Sequence, residues 1–218
     1  NPRAKVAAVC DALPETAERR AQEWGVERWC ADYRELLADP ALDAVEVLTP
    51  HNLHAEMSCA ALEAGKHVSV QKPMAMNLAE ADAMIQAAER AGKTLRVYEN
   101  FRFYPPYVRA RQLLEAGQIG EPLSLRVKVI GGGAREGWSV PWTAWAWHLD
   151  ETQSGGGPSV FDHGYHIFSI AMFFLGRVER VFAWIDKTAV LPEVFWDAPS
   201  YIMWKHRDGQ RYGCWESI

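Results

Sequence analysis

The sequence has no long apolar run, no block of basic residues and few cysteines. Its 218 residues carry a formal net charge of −5 at pH 7 without a Lys/Arg cluster, so we expect no general attraction to nucleic acid. No uninterrupted apolar run approaches the roughly 20 residues needed to cross a bilayer, and no charged-then-apolar leader opens the chain. We therefore expect neither a nucleic-acid nor a membrane partner, and a cytoplasmic location.

The four cysteines argue against two common kinds of site. They are Cys10, Cys30, Cys59 and Cys214, and they lack the close pairing of a zinc knuckle or a redox dithiol. We expect buried thiols in a reducing compartment. The chain is 49% hydrophobic, which is enough to bury the core of one or two domains.

Strands and helices alternate strictly through the first hundred residues. Short apolar runs precede helical segments that stop at Gly25, Gly65 and Gly92. The predicted strands are 5–10, 44–48, 67–70 and 94–98. Because parallel strands need crossover connections, and these are almost always right-handed, the alternation predicts a doubly wound parallel sheet over residues 1–99.

The pattern changes after residue 100. Residues 122–130 alternate apolar and polar side chains, 161–175 form an apolar helix, and further strands are predicted near 178–187 and 201–205. We therefore predict an α/β chain. Its Rossmann-type parallel sheet is followed, over residues 100–218, by an α+β domain with an open, mostly antiparallel sheet.

Asp11 ends the first predicted strand. In dinucleotide-binding sheets an acidic residue at the end of the second strand accepts hydrogen bonds from the adenosine ribose, about 20 residues after a glycine-rich loop. That loop would fall before residue 1, so we expect an NAD-binding domain that lacks its first strand and its glycine-rich loop. The carboxylate favours NAD, because NADP would bring a second negative charge and would need a basic residue elsewhere. A solvated turn residue is the alternative.

Lys72 follows the predicted strand 67–70, at the edge where open α/β sheets bind their ligands. An ammonium there can donate a hydrogen bond to a substrate hydroxyl and stabilise the alkoxide that develops as hydride leaves carbon. A solvated surface lysine is the alternative.

Asp162 and His166 are four residues apart near the start of a predicted helix, so they would share one helical face. A histidine can take the proton of an alcohol, and a neighbouring carboxylate can orient it. A helix start with a packed histidine is the alternative. A metal site built from Asp162, His166 and His148 is disfavoured because no tight ligand cluster fixes three positions, so we expect no metal.

Five motifs, in this order, resemble those of the Gfo/Idh/MocA oxidoreductase family. They are Val9-Cys-Asp11, Leu48-Thr-Pro-His-Asn-Leu-His54, Val70-Gln-Lys-Pro73, Asn100-Phe-Arg102 and Asp162-His-Gly-Tyr-His166. The resemblance covers nearly the whole chain, although relatives continue beyond both of its ends. It implies a Rossmann domain followed by an α/β domain for substrate binding and oligomerisation, and activity on sugars, inositols or glycosides.

The resemblance also implies roles for individual residues. Lys72 and His166 would be the catalytic pair, with Asp162 beside them contacting substrate or orienting His166. The implied cofactor contacts are Asp11, Thr49, Pro50, Asn52, His54, Gln71, Lys72, Asn100 and Arg102. The chain departs from the family at Gln71, where the usual residue is Glu, and so loses a negative charge beside Lys72.

Four tryptophans crowd between two glycine runs, at Trp138, Trp142, Trp145 and Trp147. We predict Trp138 and Trp142 as substrate contacts, because an indole offers a flat apolar face to a sugar ring. Core packing or a subunit contact is the alternative.

Together these features predict an NAD-dependent oxidoreductase that transfers hydride between a nicotinamide cofactor and a hydroxyl or keto group of a sugar, polyol or glycoside. We expect a homo-oligomer formed through the C-terminal sheet. Two alternatives stay open: an enzyme that cleaves glycosides through transient NAD-dependent oxidation, and a non-catalytic regulator that senses NAD or sugar.

Overall fold

The computed structural model describes residues 4–130, 141–191 and 194–217. The chain packs into two compact units. The first comprises Asn1–Leu48, Ala55–Val70 and Ala79–Arg96, and the second comprises Thr49–His54, Gln71–Leu78 and Val97–Ile218. The domain boundary at residue 99 stays a prediction.

Parallel strands alternate with helices up to residue 98. The strands are β1 Val9–Cys10, β2 Trp29–Cys30, β3 Ala44–Val47, β4 His67–Gln71 and β5 Leu95–Tyr98, and the helices are α1 Pro14–Trp24, α2 Tyr33–Leu37, α3 His54–Glu63 and α4 Leu78–Ala91. β1 pairs in parallel with β2, β3 pairs in parallel with β4, and β4 lies between β3 and β5. The predicted Rossmann-type sheet is thereby confirmed.

The helix ends follow their sequence signals. Gly25 has a φ of 65°, in the left-handed region, and its N–H bonds the carbonyls that end α1. The Asp32 side chain accepts a hydrogen bond from the N–H of Arg34 and so caps α2. The first predicted strand is shorter than expected, because only Val9 and Cys10 of residues 5–10 have a paired neighbour among the described residues.

The elements after residue 98 form a mixed sheet with helices. The strands are β6 Ser124–Val129, β7 Val178–Ile185, β8 Thr188–Leu191, β9 Val194–Trp196, β10 Ser200–His206 and β11 Tyr212–Ser217, and the helices are α5 Pro105–Glu115, α6 Trp142–Trp145, α7 Glu151–Ser154 and α8 Gly164–Leu175. The four-stranded sheet has the order β6-β11-β10-β7. β10 is antiparallel to both of its neighbours, and β11 is parallel to β6. Of the helices in the described ranges, none is long and apolar enough to span a bilayer.

Helix α8 covers one face of this sheet. Ile167 and Ala171 pack against buried Ile202, Trp204 and Trp215. Two glycines make room for the indoles: a Cβ on residue 213 would lie 2.2 Å from the ring of Trp204, and one on residue 164 would lie 2.9 Å from that of Trp215. Because real Cβ contacts are longer, any side chain at either glycine would force the packed tryptophan ring or the backbone to shift.

The chain enters α8 through a π-helical turn, Pro158–His163, which carries Asp162. Buried Asp197 caps this turn. Its Oδ1 accepts from the N–H of Ser159 at 2.7 Å and its Oδ2 from that of Val160 at 2.5 Å. Gly157 allows this approach, since a Cβ there would lie 2.0 Å from the carboxyl carbon of Asp197. The cap therefore fixes the start of the segment that bears Asp162 and His166.

Replacing Asp197 by Ala should destabilise the protein by about 1–3 kcal/mol, because two buried N–H groups lose their acceptors. Urea unfolding at neutral pH would measure the change, with Asp208→Ala, at an exposed position, as the matched control. Equal stability of the two variants would contradict the capping role.

Candidate active site

Three strand ends and one helix start supply the predicted site residues. Residues 49–54 follow β3, Lys72 follows β4, residues 99–102 follow β5, and Asp162 and His166 lie at the start of α8. All of these segments belong to the second unit. In open parallel sheets, the carboxyl ends of the strands are where ligands bind.

Lys72 and Asp162 form a largely buried ion pair. The ammonium Nζ donates to Oδ1 of Asp162 at 2.5 Å and lies 3.4 Å from its backbone carbonyl oxygen. The two side chains are only 16% and 14% exposed. Burial opposes ionisation of Asp162, but the hydrogen bonds from His51 and Lys72, together with the charge of Lys72, outweigh it and lower the pKa to about 2. The carboxylate therefore stays charged at neutral pH.

His51 is a third member of this group, and the sequence reasoning did not assign it a role. Its Nδ1 lies 2.8 Å from the carbonyl of Ser154, and its Nε2 lies 3.4 Å from Oδ1 of Asp162. Because a carbonyl only accepts, Nδ1 must carry a proton. The ring is buried, and its Nε2 faces the same carboxylate oxygen as Lys72.

His166 is oriented by Glu99, not by Asp162. Its Nδ1 lies 3.0 and 2.9 Å from the two carboxylate oxygens of Glu99, and both residues are buried. The ring of Phe101 stacks on the imidazole at 4.0 Å. The orienting role predicted as an option for Asp162 therefore falls to Glu99, because the π-helical turn and Lys72 direct the Asp162 carboxylate elsewhere. The missed signal was an acidic residue one position after the end of β5.

His163 lies near both His166 and Lys72, the two groups that are paired with carboxylates. Burial lowers the pKa of His163, and electrostatic interactions with His166 and Lys72 lower it further. The ring of His163 lies 5.7 Å from that of His166. His166 and Lys72 are therefore both close enough to His163 to act on it electrostatically.

Gln71 and His54 hold the backbone around Lys72. The side-chain oxygen of Gln71 accepts from the N–H of Lys72 at 2.9 Å, while Asp162 supplies the negative charge beside the ammonium. His54 is fully buried, with Nδ1 2.9 Å from the carbonyl of Pro73 and Nε2 3.0 Å from that of Thr49. Burial lowers the pKa of His54, and the hydrogen bonds to the two carbonyls oppose this shift by favouring the protonated ring. This geometry gives His54 a positioning role, and its cofactor contact stays a prediction.

The remaining predicted cofactor residues differ in exposure. The hydroxyl of Thr49 is buried and has no hydrogen-bond partner within the described ranges. Pro50 is half-buried, whereas Asn52 and Asn100 are exposed. Arg102 is exposed and stacks over the ring of Phe173 at 5.4 Å. Their cofactor contacts stay predictions.

Asp11, in the first unit, directly follows β1. Its Oδ1 accepts from the N–H of Leu13 at 2.9 Å, and its backbone N–H donates to the carbonyl of Cys30. The residue therefore shapes the turn into α1, as the alternative interpretation stated. A carboxylate that uses one oxygen in a turn keeps lone pairs for a further donor, so its ribose contact also stays a prediction.

Trp145 and Trp147 pack against the rings of His51 and His148. Trp147 contacts His51 edge-on at 4.7 Å and stacks on His148 at 3.7 Å, and Trp145 stacks on His148 at 5.3 Å. These contacts are packing. Of the two predicted substrate contacts, Trp138 lies outside the described residues and the side chain of Trp142 is likewise not described.

Two family models match the chain. The model of the oxidoreductase family with an NAD-binding Rossmann fold matches residues 1–99, and the model of the GFO/IDH/MocA C-terminal domain matches residues 107–215. The chain belongs to the Gfo/Idh/MocA oxidoreductase family. The resemblance that the five motifs indicated is thereby confirmed.

Similar proteins in this family are named sugar dehydrogenases. A levoglucosan dehydrogenase of Pseudarthrobacter phenanthrenivorans is 32% identical over 79% of this chain and 43% of its own length, and a D-apiose dehydrogenase of Paraburkholderia graminis is 35% identical over 83% and 45%. A structure of levoglucosan dehydrogenase in complex with NADH and levoglucosan matches with a TM-score of 0.85 and 28% identity, over 97% of this chain and 57% of that one. The chain thus spans about half the length of the curated relatives it matches.

The low pKa of Asp162 predicts an acid-dependent loss of stability in this Gfo/Idh/MocA protein. The pKa falls from 3.8 to about 2 on folding, so the contribution, about 2 kcal/mol, is fully present above pH 3.8 and is lost as the pH falls toward 2. Urea unfolding would give the free energy of unfolding at pH 5 and at pH 2.5. The decrease between the two pH values should therefore be smaller for Asp162→Asn than for the wild type. Asp208→Asn, at an exposed position, is the control, and parallel curves for all three proteins would contradict the assignment.

Proposed function

We propose that this protein is an NAD-dependent oxidoreductase that transfers hydride between the nicotinamide and a CH–OH or keto group of a sugar or polyol. The observation that carries the proposal is the pair of buried dyads, Asp162–Lys72 and Glu99–His166. One presents a fixed cation and the other a fixed proton acceptor. Relatives named for levoglucosan, D-apiose and myo-inositol support the substrate class, and the family model supports NAD.

The residues present fit a dinucleotide. The buried hydroxyl of Thr49 has no hydrogen-bond partner among the described residues, and such a group is costly to keep unless a ligand or water pairs with it. Thr49, Pro50, Asn52, Asn100 and Arg102 would contact the cofactor, with Gln71 and Lys72 near its reactive ring and Asp11 accepting from a ribose. When bound, the nicotinamide supplies the hydride acceptor or donor. The Asp11 carboxylate favours NAD over NADP for the charge reason given above.

His166 exchanges the hydroxyl proton. Glu99 holds the Nδ1 proton of the ring, so Nε2 is the nitrogen that accepts a proton from an alcohol or returns it to an alkoxide. When Nε2 takes that proton the ring becomes positively charged. The buried carboxylate of Glu99 stabilises this imidazolium directly, and Phe101 holds the plane of the ring.

Lys72 binds the reacting oxygen. Its Nζ carries three N–H donors, of which the described contacts direct one or two at Asp162. A further N–H is left to donate to the substrate oxygen, where it stabilises negative charge during alcohol oxidation. Asp162 keeps the ammonium in a single position, so little reorganisation is needed as charge develops.

Lys72→Ala and His166→Ala should each lower kcat/KM by about 100-fold or more on a sugar the wild type turns over, because each removes a group that acts on the reacting oxygen or its proton. NADH formation would be measured with a panel of sugars, polyols and glycosides. Unchanged turnover in both variants would refute the assignment and favour a sensor, whereas release of an aglycone without net NADH would favour glycoside cleavage.

Glu99→Gln is the matched variant for the second dyad. It keeps the side-chain shape but removes the charge that stabilises the imidazolium, so kcat should fall while NADH affinity, measured by fluorescence, stays the same. Glu151→Gln, at an exposed position, should leave both unchanged. A change in NADH affinity alone would contradict the role given to Glu99.

We also propose that the open face of the second sheet joins copies of this chain. On β7 and β10 the side chains Phe182, Trp184, Tyr201 and Met203 are 51%, 58%, 38% and 39% exposed. They share the face opposite α8, since Met203 pairs with Phe182 and Tyr201 with Trp184. A continuous apolar face of this kind is typical of an interaction surface.

Replacing Phe182 and Trp184 together by Glu should shift the protein to a smaller oligomer, because charges would have to be buried against the partner's apolar face. Light scattering after gel filtration would give the mass. Leu78→Glu, at a position 83% exposed, is the control. A wild-type monomer, or an unchanged mass in the double variant, would contradict the proposed interface.

A further inference from the structure

Three ligand-type side chains converge beside Lys72. An imidazole nitrogen of His51, one of His148 and a carboxylate oxygen of Asp162 all lie within 4.8 Å of one another. The metal site that the sequence disfavoured consisted of Asp162, His148 and His166. In the structure, His166 is engaged by Glu99, and His51 takes its position in the group.

Both histidines are prepared as ligands in the same way. Nδ1 of His51 lies 2.8 Å from the carbonyl of Ser154, and Nδ1 of His148 lies 2.8 Å from that of Trp145. Each Nδ1 therefore carries a proton, so a metal would be bound through Nε2, and Zn²⁺ would replace any proton that Nε2 of His51 donates to Asp162. An N–H donated to a backbone carbonyl is the usual support of a metal-binding histidine, because it fixes the tautomer and the plane of the ring.

The spacing suits a small tetrahedral ion. Nε2 of His51 lies 3.4 Å from Oδ1 of Asp162, which is the separation of two ligand atoms around an ion with bonds of roughly 2.0–2.1 Å. The separations that involve His148 are at most 4.8 Å, so no more than a modest inward movement of its half-buried ring would complete the site. Two imidazoles with one carboxylate favour Zn²⁺ and related transition metals over Mg²⁺ or Ca²⁺, which prefer oxygen.

We propose that His51, His148 and Asp162 form a Zn²⁺ site with an open fourth position. The ion and the Lys72 ammonium compete for the same carboxylate oxygen, since Nζ lies 2.5 Å from Oδ1 of Asp162. Binding of Zn²⁺ therefore displaces the Lys72 ammonium from Oδ1 of Asp162. The site is an inhibitory one, and this last consequence rests on the proposed function.

Zn²⁺ titration by calorimetry, with Co²⁺ absorption as a second probe, tests binding without turnover. We expect one ion per chain, with affinity at least about tenfold weaker in His148→Ala and in His51→Ala, because each loses a ligand. His163→Gln is the matched control, since His163 is a neighbouring histidine outside the cluster. Thermal unfolding identifies any variant that fails to fold. If His51→Ala does not fold, the Zn²⁺ affinity of His148→Ala tests the site in its place.

Lys72→Met should change the Zn²⁺ affinity in the opposite direction from the histidine variants. Removing the competing cation should tighten Zn²⁺ binding several-fold, whereas an incidental surface histidine site would not respond. Unaltered affinity in both His148→Ala and Lys72→Met, or an equal loss in His163→Gln, would overturn the site. In the wild type, Zn²⁺ should raise KM for the sugar. If Zn²⁺ binds but no turnover exists to inhibit, the proposed function fails and the metal site stands.

Discussion

The ion pair between Lys72 and Asp162 is the constraint on which the site depends. Two largely buried charges, 2.5 Å apart, are tolerable only as a pair, because either one alone would face a large desolvation cost. The pair also joins segments far apart in sequence, the residues that follow β4 and the turn that opens α8. Anything that moves Asp162 therefore moves the ammonium.

Much of the second unit serves to hold Asp162 in position. Asp197 caps the π-helical turn, and Gly157 lets its carboxylate approach the backbone. Further along, Trp204 and Trp215 pack over glycines and support the helix that carries His166. Rigid support of this kind is what allows a few side chains to keep a reactive geometry without rearranging.

The two carboxylates of the site do different work because their partners differ. Asp162 faces an ammonium and His51, and its lowered pKa keeps it ionised over the whole neutral range. Glu99 accepts from the His166 imidazole and from the backbone N–H of Phe101, neither of which is a permanent cation, so its charge matters most when the imidazole gains a proton. Because the Asp162 carboxylate stays ionised, it can pair with a cation, either the Lys72 ammonium or the proposed Zn²⁺.

Local signals in the sequence determined the elements whose pattern needs no distant partner. The glycine stops and the apolar runs of β3, β4 and β5 were readable because they act within a few residues. Helix α5, the hairpin of β8 and β9, and strand β11 were missed. Strand β11 includes Gly213, a poor strand former whose place depends on Trp204 lying against it.

The five motifs likewise identified the family from sequence alone, because their residues and their order can be read along the chain. Only the tertiary structure decided which acid serves which base. Spacing of four residues suggested that Asp162 orients His166, but Asp162 lies in the π-helical turn that precedes α8, and Glu99, 67 positions from His166, holds the ring. Such pairings depend on side-chain directions and on how distant strand ends converge, and these are properties of the folded chain.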